Sequence, residues 1–502
     1  MHYVSLLIEF LRGRPAVVFW TVTLTQAVLW TIVPALFYSA PPGDVPLLLA
    51  IGHEFLLGSY LGPPLAFWLG EGAFRLAGMF GVYALAQACI VVAYWAVFTL
   101  GCRIVGTRHA VLGVLLMVGI SAFTVPSPTF GPAVLAAPLW ALALLHYWCA
   151  VGEGERGYWF LLALDLGLLL LSSYVGVLLL VMLVVFTLVS PRGQRALLAP
   201  EPWIGLVLFA IVVFPHAAWL ARMRDLVLTG LNDSVAAAGQ MSPWLWLGMT
   251  LLVTHLGLAL LVAIASGWPR KRHERAPEIV RNPVQGFARL YVYVFALVPG
   301  LAAVALVFVS GRLGPLDRIA PLVVLTGLAV VIAAGDQVQL YREGVLSSAW
   351  LGLLVAPPAL VVFGLLLLPW MLKTDLAIAQ PANTEGRFFG DIFERRTGKP
   401  LTYITGDSKL APLIAMSAPS RPHVYFVWAP ERSPWVTAAD LRTHGALLVW
   451  PATDAAGTPP AAVKAQFPEM VTEVPRSFAR TVQGFLPLIR LGWSVIRPPA
   501  AP

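Results

Sequence analysis

Residues 44–69 read DVPLLLAIGHEFLLGSYLGPPLAFWL. This stretch follows the first long apolar run of the chain. It carries an acid (Asp44), a His-Glu pair (His53, Glu54), a Gly-Ser-Tyr ending in Tyr60, and the double proline Pro63-Pro64. A chain that only had to connect two apolar helices would not need these groups so close together. Their chemistry is that of an active-site loop lying on the outer face of a membrane. Within it LLLAIGHEFLLG is expected to form a short helix in the interface, apolar side down.

Composition supports a membrane setting. Of the 502 residues, 59% are hydrophobic and 12% charged, with a mean hydropathy of +0.79. A soluble domain carries about 25% charged residues, so this mixture cannot clothe a soluble surface. The 18 tryptophans suit interfacial belts. The net charge of +8 sits mostly in short loops, where it sets orientation and is no sign of nucleic-acid binding. Cys89, Cys102 and Cys149 lie in or beside apolar runs without metal-site spacing and read as small core residues.

Runs of roughly 20 apolar residues, each able to cross ~30 Å of hydrocarbon, recur along the chain. They predict about 11 transmembrane helices. The spans fall at 16–38, 77–100, 110–125, 133–151, two short helices within 158–189 divided at Ser172-Ser173-Tyr174, then 203–220, 244–266, 290–309, 319–334 and 349–372. The first is read as an uncleaved helix. Loops 39–76 and 221–243 are outer. The basic run WPRKRHERAPEIVRNPVQGFAR (268–289) is inner, as are Arg12 and Arg14. Inner segments then carry 14 Lys and Arg and outer loops before residue 372 carry five, which places the N-terminus in the cytoplasm. Composition changes near Lys373. Residues 373–502 mix polar, apolar and turn residues, with short β-rich runs LTYITG, HVYFVW and ALLVWP. They predict a small α/β domain on the outer face, and residues 1–372 form the membrane core.

Several residues have both a chemical and a structural reading. Asp44 can be a general base that activates an acceptor hydroxyl, or the N-cap of the helix it precedes. His53 and Glu54 can be acid/base groups or metal ligands, or only solvated residues on a polar face. Tyr60, Pro63 and Pro64 shape the return of the chain to the bilayer and border a substrate pocket. Arg75 can snorkel. Arg222, Arg224, Arg312 and Arg318 fall on the outer side against the positive-inside trend, where guanidinium forks suit a lipid phosphate or outer-leaflet head groups. His216 reads as a hydrogen-bonded core histidine. Asp165 alone stands plainly inside a span. No Gly-rich phosphate loop, HExxH, CxxC or nucleophile elbow is present.

The order of a first span, an outer Asp, an interfacial helix and GSYLGPPLAFWL resembles the pattern Asp-Glu … Gly-Tyr … Pro-Pro-Leu-x-x-Trp-Leu of C-type, polyprenyl-phosphate-dependent glycosyltransferases. The nearest branch is the protein mannosyltransferase superfamily, with its aminoarabinose and galacturonic acid transferases. PTFGPAVLAAPLWALALLHYW (128–148), YWFLLALDLGLLLLSSYVGVLLL (158–180) and LDRIAPLVVL (316–325) are similar to later family segments. SRPHVYFVW (420–428) and FLPLIRLGWSVIRPP (485–499) are similar to its outer C-terminal domain. The resemblance implies a GT-C fold and transfer of a sugar from a polyprenyl-phosphate donor to an extracytoplasmic acceptor in the envelope: lipid A or lipopolysaccharide, another glycan, or a protein. It places Asp44 at the catalytic acid and Arg318 beside the donor phosphate. The chain departs from the pattern at Val45, where the family has Glu, and at Gly62 and Ser173, where it has Lys. Glu54, His53 or Arg222 and Arg224 would then compensate. No organic cofactor is implied, and a divalent metal stays open.

The chemistry expected is an inverting displacement at the anomeric carbon, with Asp44 as base and the outer arginines on the departing phosphate. A transporter or lipid flippase, and a catalytically inactive scaffold for envelope assembly, are the rival readings. A bacterial inner-membrane location accompanies the enzyme reading.

Overall fold

The computed structural model describes residues 13–233, 241–267, 278–341, 343–468 and 470–498. Arg12 and residues 268–277 of the basic run at 268–289 lie outside the described residues. The fold is that of a polytopic helical membrane protein with a C-terminal α/β sheet domain. Among the described residues, seven helices are long and apolar enough to cross a membrane, and four shorter apolar segments accompany them. The chain clusters into two compact units.

The first unit is a helical bundle made of residues up to Ile32, Tyr60–Ala66 and Tyr83–Pro358. It begins with α1 (Pro15–Phe37), whose last residues pass to the other unit. Val45–Gly52 is α2, and α3 (Leu65–Val105) runs 41 residues with a non-helical break at Ala77 and Gly78. Next come α4 (Thr107–Met117) and α5 (Pro132–Tyr147), the latter continued by a π-turn at Trp148–Gly152. They are followed by α6 (Tyr158–Ser172), α7 (Gly176–Val189), α8 (Pro191–Ala196), α9 (Glu201–Arg222) and α10 (Arg224–Asp233). The bundle closes with α11 (Pro243–Thr254), α12 (Leu256–Ala265), α13 (Gly286–Ser310), α14 (Ile319–Leu322), α15 (Thr326–Ala333) and α16 (Glu343–Met371). Between them β1 (Glu278–Val280) pairs antiparallel with β2 (Gln337–Gln339).

The expected break at Ser172–Tyr174 is present: α6 ends at Ser172 and Ser173 is extended. The expected third and tenth spans are less regular than their hydropathy suggested. The third is only 11 residues of α-helix before a 3-10 turn at Ser121–Phe123, and the tenth is divided between α14 and α15. The breaks fall at Val118-Gly119-Ile120 and at Val323-Val324-Leu325, and at the first a neighbouring segment satisfies the backbone, since the Leu258 amide donates to Gly119 O at 2.9 Å.

Burial orders the bundle. In α5, 89% of the most apolar window is buried, against 11% in α9. So α5 is the central post, and α9 turns Trp203, Ile204, Val207, Ile211 and Phe214 outward, as a lipid face does. Tyr147, Phe186, Tyr291 and Phe295 form an aromatic cluster beside α5, and the Tyr291 hydroxyl donates to Leu144 O at 2.6 Å. Helices α4 and α15 meet backbone to backbone: a Cβ on Gly327 would stand 2.3 Å from Gly113 O. Small residues at such a crossing let dispersion act over a long contact in a medium where burial gains nothing.

The second unit comprises Val33–Ser59, Phe67–Val82 and Ala359–Pro502. Its sheet has the order β4-β3-β5-β7-β6. Strands β3 (Tyr403–Gly406), β4 (His423–Tyr425) and β5 (Ala446–Pro451) are parallel, and β6 (Arg476–Phe478) and β7 (Ile489–Ile496) complete an antiparallel edge. Helices α17 (Ala382–Thr397), α18 (Leu410–Ser417), α19 (Ala438–His444) and α20 (Ala461–Gln466) accompany the strands. Tyr425, Leu448, Trp450, Phe467 and Ile496 fill one core.

The sequence expectation for α2 needs correction. It is not an amphipathic helix resting on the interface. All of its residues except Leu47 are buried, and it packs against α18. A helix made almost wholly of apolar residues suits an interface or a core alike, and here a protein partner won. The same unit holds Ser39 and Ala40, whose amides donate to Ile378 O at 2.9 and 3.0 Å, and an Arg480–Asp375 ion pair.

Candidate functional site

The sequence-predicted residues fall into two groups. Asp44, His53 and Glu54 belong to the sheet-containing unit. Tyr60, Pro63, Pro64, Arg222, Arg224, Arg312 and Arg318 belong to the helical bundle.

In the first group, Asp44 occupies the N-cap position of α2 but makes no side-chain cap bond, and it is exposed. The capping role open to it is therefore not taken. Helix α2 ends at Gly52, so His53 and Glu54 lie on the turn that follows, and neither is a solvated face residue. His53 Nδ1 lies 3.2 Å from Glu71 Oε1. Glu54 Oε1 lies 2.7 Å from His423 Nδ1, and its side chain is 8% exposed. Phe55, the next residue, is held at φ +48°, and Arg421 at φ +51°. Left-handed backbone at two non-glycine residues concentrates strain around this cluster.

Glu71 is the centre of the group and the sequence reading missed it. Its side chain is 1% exposed. It accepts from Arg75 Nε at 2.8 Å and from Arg421 Nη2 at 2.6 Å, besides facing His53. Two guanidinium groups and an imidazole thus surround one buried carboxylate. Arg75, expected to snorkel, is instead tied one turn back to Glu71 and lies over the Phe55 ring. Arg421 lies over Phe74, and burial, opposed by Glu71, pulls its guanidinium below the usual arginine range. His423 is raised by its bond to Glu54, against burial. A signal for Glu71 was present: it is an acid inside an apolar run, four residues before an arginine. Nothing local marked Arg421 or His423.

Among the described residues, no three His, Cys, Asp or Glu side chains converge as metal ligands. Glu71 already faces two arginines, which oppose a cation, and Glu54 faces His423.

In the bundle, Tyr60 is buried and α10 packs so tightly on it that a Cβ at Gly230 would stand 1.9 Å from Tyr60 O. Helix α10 also contacts the 3-10 turn Gly314–Asp317, which leads to Arg318. The turn at Ser121–Phe123 packs on α14, immediately after Arg318. Tyr60, α10 and the Arg318 segment therefore form one rim. On it Arg318 is half-buried, while Arg222, Arg224 and Arg312 are exposed. Arg224 stands 3.4 Å from Asp225 with both side chains mostly in solvent, a pair of little energetic weight. Ser173 is buried where the related pattern has Lys, and Tyr174 bonds His216 at 3.1 Å. His216 is the hydrogen-bonded core histidine expected of it. Asp165 is not a lone charge, for His146 Nδ1 stands 2.5 Å from its Oδ2.

Comparison with known proteins adds three findings. The family described as dolichyl-phosphate-mannose-protein mannosyltransferase matches residues 62–219, beginning at Gly62-Pro63-Pro64. The crystal structure of ArnT from Cupriavidus metallidurans bound to undecaprenyl phosphate superposes over 97% of this chain and 99% of its own, with a TM-score of 0.52 and 13% identity. The apo oligosaccharyltransferase of Archaeoglobus fulgidus covers 88% of this chain and 70% of its own, with a TM-score of 0.42 and 12% identity. No curated protein matches the sequence. At 13% identity the first structural likeness establishes the fold, and the chain has the GT-C architecture.

Proposed function

We propose that this protein is a membrane glycosyltransferase that moves a sugar from a polyprenyl-phosphate donor to an extracytoplasmic acceptor. The observation that carries the reading is the end-to-end likeness to a structure holding undecaprenyl phosphate. The family match over residues 62–219 supports it independently. The location that accompanies it is a bacterial inner membrane, with the N-terminus inside and the sheet domain outside.

The reaction is an inverting displacement. An acceptor hydroxyl attacks the anomeric carbon, the bond from that carbon to the phosphate oxygen breaks, and polyprenyl phosphate departs. Asp44, uncapped and exposed, takes the hydroxyl proton. Arg318 on the bundle rim, with Arg222, Arg224 and Arg312, meets the charge that develops on the leaving phosphate. Tyr60, Pro63 and Pro64 border the pocket. Glu71, Arg75 and Arg421 act as positioning residues, since they hold the turn of His53 and Glu54 in place. The acceptor is an envelope lipid, glycan or protein.

Membranes carrying equal amounts of wild type and Asp44→Ala, supplied with labelled polyprenyl-phosphate sugars, test the reading. Transfer by the wild type that falls about 10²–10⁴-fold in the variant supports it. Equal transfer by both sinks Asp44 as the base and moves the role to Glu54 or His53. Absence of transfer by either folded protein favours the scaffold or flippase readings.

A further inference from the structure

The lipid-facing surface of the last spanning helix does not stop where the helix stops. On α16, Leu360, Phe363, Leu367 and Trp370 are exposed and recur every three or four residues, which makes one stripe of the helix. Only 17% of the apolar window of this helix is buried, so the stripe faces hydrocarbon. Trp370 ends it in the last turn, where an aromatic ring suits the head-group boundary.

The stripe continues on the sheet domain. The loop between β6 and β7 reads ARTVQGFLPL (479–488). Its Phe485 ring stands 5.4 Å from that of Trp370, edge to face, and the Phe485 amide donates to Pro369 O at 3.0 Å. Gly484 is held at φ +51° and lies so close to Pro369 that a Cβ would stand 2.6 Å from its carbonyl oxygen. Earlier in the loop, Thr481 Oγ1 lies 2.5 Å from Ser39 Oγ, just past the end of α1, and Arg480 pairs with Asp375. The loop is thus pinned to the ends of two spanning helices, at the level where both leave the bilayer. Pinned there, it turns apolar side chains outward: Phe485 is 63% exposed and Leu488 48%. The backbone of its tip is fitted to such a place. The Phe485 and Leu486 amides donate to Pro369 O and Gln483 O, and Pro487 has no N–H. Leu486 O accepts from the Gln483 side chain, and Pro487 O from Arg480 Nε at 3.2 Å. A segment that enters lipid must satisfy its polar groups within the protein, whereas a loop in water has no such need.

We propose that this loop is a membrane anchor of the sheet domain, with Phe485 and Leu488 among the lipid chains just below the head groups, beside Trp370. The partner is the bilayer and not a protein, since the loop extends a stripe that already faces lipid and meets it at Trp370.

Hydroxyl-radical footprinting of the wild type, with one chain in each phosphatidylcholine nanodisc, reads which side chains meet water. Val471 is the internal reference: it is 72% exposed, and its carbonyl accepts from Ser494, five residues along β7 from Ile489 and so about 17 Å from the loop. Corrected for intrinsic reactivity, Phe485 and Leu488 should lose most of their oxidation relative to Val471. Oxidation of Phe485 as ready as that of Val471 overturns the proposal, since the loop is then in water. A nitroxide on Leu488→Cys, with Cys89→Ala, Cys102→Ala and Cys149→Ala to keep the label at one place, reads depth. It should collide more with dissolved oxygen than with a water-soluble nickel chelate, at about 5–10 Å below the phosphates. Collision mainly with the chelate overturns the proposal. Protection from radicals without oxygen-rich surroundings overturns it too, since a protein surface then covers the loop. If the labelled variant fails to fold, by size exclusion, the footprint of the wild type decides alone.

Discussion

Glu71 and Arg421 lie 350 positions apart in the chain and meet at 2.6 Å, with the carboxylate 1% exposed. Through Arg75 and His53 the same carboxylate also binds its own helix and the turn after α2. A buried ion pair stabilises little against an apolar replacement of both partners, yet removal of one partner strands a charge. Arg421→Ala should therefore destabilise the folded chain by about 3–5 kcal/mol, and Glu71→Gln by a similar amount. The double variant should lose clearly less than the sum of the two. Melting of the detergent-solubilised proteins in a double-mutant cycle measures it, and strict additivity would show that the pair is not coupled.

The second contact of this cluster, Glu54 with His423, carries a pH dependence. The bond to Glu54 raises His423 above the ordinary histidine value, with burial opposing. A raised histidine binds its proton more tightly folded than unfolded. Its stabilisation is thus complete below about pH 6.5, the unfolded value, and lost as pH rises through the raised one. Wild type should lose more apparent Tm than His423→Gln between about pH 5.5 and pH 9. Parallel curves would show that the imidazole is not charged in the fold.

Much of the architecture was legible in the sequence because a bilayer imposes a length on apolar runs. The division at Ser172–Tyr174 and the sheet runs after Lys373 were read from local patterns. Helix α2 was misjudged for a physical reason. VPLLLAIG is apolar on every side, and such a segment buries itself equally in lipid or against α18. His53 and Glu54 were singled out by type, but their partners could not be. Glu71 had a local sign in its spacing to Arg75. Arg421 and His423 come from the far end of the chain, and only folding brings them to the turn.

The rim arginines differ in burial, and that difference predicts their weight. Arg318 is half-buried ahead of α14, whereas Arg224 has a side chain 77% exposed. A guanidinium held by its surroundings in lower dielectric interacts more strongly with developing phosphate charge than one in water. Arg318→Gln should lower kcat/KM for a polyprenyl-phosphate sugar by about 10²-fold or more, and Arg224→Gln by less than about tenfold. Initial rates on matched membranes test the order. The reverse ranking would move the donor phosphate toward α10.

Glu385 in α17 is fully buried, and only its Oε2 has a partner, Gln380 Nε2 at 3.0 Å. Its Oε1 makes no hydrogen bond among the described residues. Burial pushes this carboxyl up to about 7, and the Gln380 bond opposes the shift only in part. Between the ordinary value of 4.5 and about 7 the unfolded chain releases a proton that the folded chain keeps, so stability falls as pH rises through that window. The shift amounts to roughly 3 kcal/mol at ~1.4 kcal/mol per unit. Glu385→Gln carries the same shape without the titration. It should melt close to wild type near pH 4.5 and above it near pH 8. A variant less stable than wild type at the higher pH would mean that Glu385 is ionised in the fold and has a counter-charge that stabilises it there.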